Sequence, residues 1–457
     1  MSIHRIARDR ERDRDRRDHR IRSVAAVYAL SSLLIAWSVV WGRRFERRER
    51  RIKLGAAPFV GRWHVHVTPA LLAVLLVVAA QVLAGRVLLP RLCDRLVLLW
   101  SAVAAVIFAF ALAAADGFSA VLAPVVDPNE YWSNLIDLPP AATMLRRFNT
   151  YDFLVVRSVH LRGHPPGFIL LLKGLRTIGL GAPWVAGALS FIGVAMLVCA
   201  VGVTTRVVAG SPAMRRMLPF LTVAPFAVWL GTSADALYSG VAATGIACVA
   251  IGVRRERTRA QLAFGSAAGV ILGSALFLTY GAATLAPLVV AVAIVPRNFR
   301  RTFRVGLAVI GGMVAVYLGF SANGFSWFRG LRLTNKFYWN GSAYFRTWTY
   351  FLLANIAVLL VALGPAVVAG IATLREARVW IVVGGALVCL LIAEGSQYSK
   401  GEVERIWLLF MPWLVPATAV LGVRRAADDA SVPVPIGWLI AQVTFAIVLQ
   451  VTLRSKW

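Results

Sequence analysis

A chain of 457 residues that is 59% hydrophobic and only 15% charged is too apolar for a soluble globular domain, where roughly 45–50% of residues are apolar. The formal net charge of +28 suits a nucleic-acid partner only superficially, because the arginines sit mainly in short loops between apolar runs, where the positive-inside rule places them. Nucleic acid is set aside on that ground, and membrane lipids or a phosphate-bearing substrate are the better match for the basic surplus.

Apolar runs of about 15–25 residues, the length needed to span the hydrocarbon core, recur from Ser23 onward. The expected fold is an all-α polytopic membrane protein with about 13 transmembrane helices and a juxtamembrane catalytic loop on its outer face. Cys93, Cys199, Cys248 and Cys389 have neither CxxC nor metal-ligand spacing, so no disulfide framework, zinc site or other metal is indicated.

Residues 1–22 are an Arg/Asp/Glu-rich tail that cannot bury a core and whose charge holds it on the cytoplasmic side. Spans are expected at 23–41, 69–89 and 96–115, completing an N-terminal unit over 23–115. The linker 42–67 contains RRFERRERRIK and falls outside if each span crosses once, against the usual charge rule. The polar stretch 116–181 follows as an outer loop, with 167–180 as a short helix lying on the surface. The remaining bundle, 182–457, holds spans near 183–205, 217–231, 236–253, 262–280, 282–296, 303–319, 349–373, 379–393, 405–422 and 434–452. This alternation puts Arg206, Arg215, Arg216, Arg254, Arg255, Arg257, Arg297, Arg300, Arg301, Arg304, Arg375, Arg378, Arg424 and Arg425 on the inner side. The turn at Asp235, the tip Tyr280-Gly281 and the loops 320–348 and 394–404 then share the outer side with 116–181.

Several outer residues can carry chemistry. Asp127 and Glu130 are spaced so that a helix starting at Pro128 would take Asp127 as its N-cap. A carboxylate at a membrane surface can equally act as general base on a hydroxyl. Tyr131 follows directly. Arg162 and His164 precede Pro165-Pro166 at the start of the short helix, a place where free N–H groups favour an anion. Arg329, Arg332 and Lys336 are interleaved with aromatics, as suits a segment at headgroup level. Asp235 is an ionisable residue at a membrane turn. Lys400, Glu404 and Arg405 form a last charged group, able to bind phosphate or to make a solvated ion-pair cluster.

An acidic pair in the first large outer loop, followed by His164-Pro165-Pro166 and an apolar helix, resembles the type C (GT-C) membrane glycosyltransferases. The likeness is greatest to the protein O-mannosyltransferase and aminoarabinose transferase superfamily. Two differences from that pattern are that Pro128-Asn129 separates the acids and that Gly167 stands where leucine is usual. The resemblance implies a GT-C-like bundle with Asp127 as catalytic base, Glu130 beside it and His164 near the donor phosphate. It further implies an extracytoplasmic active site, no cofactor, a polyprenyl-phosphate sugar donor, and a hydroxyl acceptor on a glycan, lipid or protein. The Ala/Val/Arg-rich composition suits a high-GC bacterium, which makes mannose or arabinose the expected sugar. The competing expectation is a multi-span lipid or sugar transporter or flippase, which would place ionisable residues at mid-membrane depth.

Overall fold

The structure, a computed structural model, describes residues 3–87, 89–231, 233–422 and 434–455. Arg424 and Arg425 therefore lie outside the described residues. The chain is a polytopic helical membrane protein. Among the described residues nine helices are long and apolar enough to cross a bilayer, and Val403–Leu409 with Met411–Val420 adds a pair bent by 74°. Tyr280–Ala293 and Ile436–Thr452 are shorter apolar helices.

Where the expected spans are not single helices, proline explains it. The run 217–231 divides into Ser211–Thr222 and Ala227–Leu230, with Pro219 inside the first piece and Pro225 in the break. A proline ring lacks the N–H that the helix ladder needs and clashes with the preceding turn. The first 48 residues differ too: the charged tail continues the first span as one helix, Ile3–Arg48. The linker 42–67 is likewise not an open loop. It holds a hairpin of β1 (Gly55–Ala56) and β2 (Phe59–Trp63), and β2 pairs antiparallel with β3 (Leu453–Ser455) near the C-terminus. Ile52, Leu54, Ala56 and Phe59 are buried beneath it, so a small sheet qualifies the all-α expectation.

Side-chain ties gather the connections at two ends. At one end, Asp94 accepts from Ser211 Oγ and Arg215 Nε, each at 2.7 Å, and from Arg206 Nε at 2.8 Å. Arg215 continues to the carbonyls of Leu89 and Leu92. Arg254 reaches the carbonyl of Val207, Arg304 reaches Thr258, and Arg216 donates to the carbonyls of Ala419 and Leu421. At the other end, Trp132 donates to the Gly181 carbonyl, Asn149 to that of Gly324, and Trp327 to that of Leu276. Arg346 donates to the Ile52 carbonyl there. The loops 116–181, 320–348 and 394–404 thus meet at one end, and the 42–67 linker joins them.

The core uses small residues where helices cross. Gly265, Gly269 and Gly273 repeat every fourth residue along Thr258–Leu278; on Phe299–Ala322 the first faces Val305 and Ala308, the second Val309 and Gly312, and the third Met313 and Val316. A Cβ on Gly269 would run into the Val309 carbonyl oxygen. Such close approach is how membrane helices gain van der Waals contact without a hydrophobic driving force. Gly269→Leu should therefore lower stability by on the order of 2–3 kcal/mol through overpacking. Gly306→Leu, where a Cβ meets open space, should change it little. Melting temperatures of the two variants in one detergent provide the check.

Candidate functional site

Four charged or titratable side chains from four segments meet at the loop-rich end. Glu130 stands at the N-cap of the short helix Tyr131–Asn134. His160 lies in Val159–Gly163, whose N-cap Ser158 accepts from the Leu161 N–H. Asp235 opens the helix Asp235–Arg254. Arg405 comes from Val403–Ile406, just before the 74° bend. Arg405 Nε donates to Asp235 Oδ2 at 2.5 Å and Nη1 to Glu130 Oε1 at 3.3 Å. Its Nη2 lies 2.8 Å from His160 Nδ1, and His160 Nε2 lies 3.0 Å from Glu130 Oε1. Ser233 Oγ donates to the same Asp235 oxygen at 2.7 Å.

These distances favour one tautomer of the histidine. A guanidinium only donates, so the nearer ring nitrogen, Nδ1 at 2.8 Å, suits an acceptor, while Nε2, 3.4 Å from Arg405 Nη1 and 3.0 Å from Glu130 Oε1, suits a donor to the carboxylate. Burial alone would raise the Glu130 carboxyl, but Arg405 first and the His160 hydrogen bond second outweigh it, bringing it down to about 2. Glu130 is therefore a fixed anion and a weak proton acceptor.

Tyr131 is buried and packs its ring edge-on to Phe168, with centroids 4.9 Å apart. It also touches the rings of His160 and His164. His164 packs on Tyr238 at 5.6 Å, and its buried Nδ1 has no hydrogen-bond partner among the described residues. Burial, with Arg405 and His160 nearby and Asp235 opposing, lowers His164 from 6.5 to about 4. The folded protein therefore keeps this ring neutral while the unfolded chain protonates it at higher pH. The stability that His164 contributes is present above pH 6.5 and is lost as pH falls toward 4. Melting temperature should drop across that window, and the drop should be shallower in His164→Gln; parallel slopes would show that another group titrates.

Among the described residues the other anticipated side chains stand outside this network. Asp127 is partly exposed, and its Oδ1 accepts from the backbone N–H and side-chain amide of Asn129 at 2.8 and 3.0 Å. It closes a turn instead of capping a helix at Pro128, because the helix starts three residues later at Tyr131. Arg162 lays its guanidinium over Phe337, and Lys336 lies over the Tyr151 ring. Lys400 sits over Trp339 at 4.2 Å, with burial lowering its ammonium. Arg329 and Arg332 are exposed on the helix Trp327–Trp339. Glu404 is fully buried against the backbone of Val60 in β2, and no cation pairs with its carboxylate among the described residues.

Sequence reasoning passed over His160 and Tyr238. The spacing of His160 and His164 was the available signal for the first, since residues four apart share a helical face. Among the described residues no group of three or more His, Cys, Asp or Glu has the arrangement to hold a metal ion. No protein-family model, characterised protein or solved structure matches this chain.

Proposed function

We propose that this chain is an integral membrane glycosyltransferase of GT-C type, moving a sugar from a polyprenyl-phosphate donor to a hydroxyl acceptor with inversion. The observation that carries the reading is the buried Glu130–His160–Arg405–Asp235 network at the loop-rich end, bordered by the cationic and aromatic helix Trp327–Trp339. In the reaction the acceptor oxygen attacks the anomeric carbon and gives its proton to Asp127. The bond from that carbon to the phosphate oxygen breaks, and its electron pair leaves with the lipid phosphate. Asp127 suits the proton because no cation pairs with it among the described residues; a carboxylate held at about 2, like Glu130, accepts protons poorly. Glu130, Asp235 and His160 hold Arg405 in place. Tyr131, His164 and Arg162 wall the site, while Lys400, Lys336, Arg332 and Arg329 offer positive charge to the departing phosphate.

On this reading the broken segment 211–230, Tyr280–Ala293, the bent pair and Ile436–Thr452 each complete a crossing, which restores about 13 spans. The arginine-rich end then faces the cytoplasm together with the N-terminus, and the site is extracytoplasmic. Mannose or arabinose is the proposed sugar.

One observation favours a second reading, a cation- or proton-coupled lipid or sugar carrier: the enclosed Glu404 carboxyl, which has no ion-pair partner among the described residues. Purified chain in nanodiscs, given polyprenyl phosphates bearing radiolabelled mannose or arabinose, should release labelled product with a hydroxyl acceptor. Absence of transfer from every donor, combined with Glu404-dependent uptake in vesicles, would replace the transferase by the carrier.

A further inference from the structure

We infer that the end of the first long helix carries a docking site for the phosphate groups of anionic lipids, in a groove of about 480 Å³ lined by Arg43, Glu46, Arg47 and Arg50. The inference is independent of sugar transfer.

The spacing of Arg43, Arg47 and Arg50 along Ile3–Arg48 and the turn after it puts the three guanidinium groups on one side of the helix. Among the described residues Glu46 is the one acid lining the groove, and its Oε1 accepts the Gly55 N–H at 2.8 Å, which ties the helix to β1. The neighbouring Glu49 is taken by Arg51 at 2.6 Å. Among the described residues no ion pair involves Arg43, Arg47 or Arg50. Three cations therefore line one depression against the single carboxylate of Glu46, which leaves an excess of positive charge in it.

Depth selects the anion. Trp41 lies one turn or less before the groove and is 45% exposed, with Arg44 over its ring at 5.5 Å. An exposed tryptophan where an apolar span ends marks headgroup level, where lipid phosphates sit. A cationic groove at that depth meets a fixed layer of phosphates, which favours a lipid over a soluble polyanion. The cluster is also separated from the other arginine groups, because the linker meets the 394–404 loop at the end opposite Arg206, Arg215 and Arg254. General inner-side charge bias does not account for it there.

The groove is mechanically connected to the candidate site. Glu46 holds Gly55, and the Ile52 carbonyl accepts from Arg346 Nε at 3.2 Å. Arg346 Nη1 donates to the Lys400 carbonyl at 2.7 Å and pairs with Glu402 at 3.2 Å, a few residues before Arg405. A phosphate on the groove braces the hairpin on which this chain of contacts rests.

The test compares parent with Arg43→Gln/Arg47→Gln/Arg50→Gln in phosphatidylcholine nanodiscs, with phosphatidylglycerol titrated in. Phosphatidylglycerol should raise the parent's melting temperature and slow hydrogen exchange over 394–406, both effects weakening in high salt. Each arginine contributes roughly fivefold in lipid affinity, so the triple variant should lose on the order of 100-fold. Melting of the variant in pure phosphatidylcholine reports whether it is folded. Arg43→Lys/Arg47→Lys/Arg50→Lys, which keeps the charge, should retain most of the response and covers the case in which the glutamine variant does not fold. An undiminished phosphatidylglycerol response in a folded glutamine variant, or none in the parent, overturns the proposal. So does an equal response to inorganic phosphate or glycerol phosphate, which would make the ligand a free anion.

Discussion

Replacing Arg405 with methionine should cost on the order of 3–5 kcal/mol of folding stability, the largest single-residue loss expected in this chain. Arg405 is only 7% exposed and holds Asp235 at 2.5 Å, Glu130 at 3.3 Å and His160 Nδ1 at 2.8 Å. Methionine fills much of the volume but strands two carboxylates at the edge of the bundle. Removing one member of a buried charge group is costly chiefly because the partners stay buried and uncompensated. Arg405→Lys should recover little, since one ammonium cannot span three acceptors that match a planar fork. Adding Glu130→Gln and Asp235→Asn to Arg405→Met should restore a large part of the loss, because the orphaned charges are gone. Denaturant titration in mixed micelles measures all three. A loss below about 1 kcal/mol for the methionine variant would mean that water reaches the network and that it behaves as a surface ion pair.

The same cluster marks the limit of what the sequence could disclose. Glu130, Asp235 and Arg405 were each recognisable as ionisable residues beside apolar runs, and depth in a membrane makes such residues functional candidates. Their pairing was not recognisable, because Arg405 and Glu130 are 275 positions apart and Arg405 and Asp235 are 170 apart. A periodic pattern reports which face of a helix is apolar and says nothing about which helix it meets. Long spans such as Pro183–Ala209 and Phe299–Ala322 were legible for the first reason: unbroken apolar length, with Pro183 at the helix start and Asn298 capping the Arg301 N–H. The hairpin at Gly55–Trp63 was hidden behind the charges of RRFERRERRIK, and its third strand lies near the other terminus. Asp127 illustrates a smaller ambiguity. Asp-Pro-Asn fits a helix cap and a tight turn equally well, and the side chain of Asn129 decided it for the turn.

Asp127 and Glu130 should separate catalysis from architecture. Under the proposed transfer reaction, Asp127→Asn should reduce turnover by on the order of 10²–10⁴, the usual worth of a positioned base. Its stability should shift by no more than about 0.5 kcal/mol, as for a surface change. An asparagine oxygen can still accept from the Asn129 N–H, so the turn survives while the proton acceptor is lost. Glu130→Gln should show the reverse emphasis. It removes the anion from Arg405 and His160 and should cost roughly 1.5–3 kcal/mol, the range for hydrogen bonds to charged groups. Turnover per folded molecule should fall less than in Asp127→Asn, because Glu130 at about 2 is poorly matched to taking a proton near neutrality. Comparing kcat with the melting temperature of each purified variant decides the roles. Near-parental turnover in Asp127→Asn, beside loss of turnover in a fully stable Glu130→Gln, would move the base to Glu130. That outcome would require the incoming substrate to displace Arg405 and so raise the carboxyl, a rearrangement that the 2.5 Å bond from Arg405 to Asp235 resists.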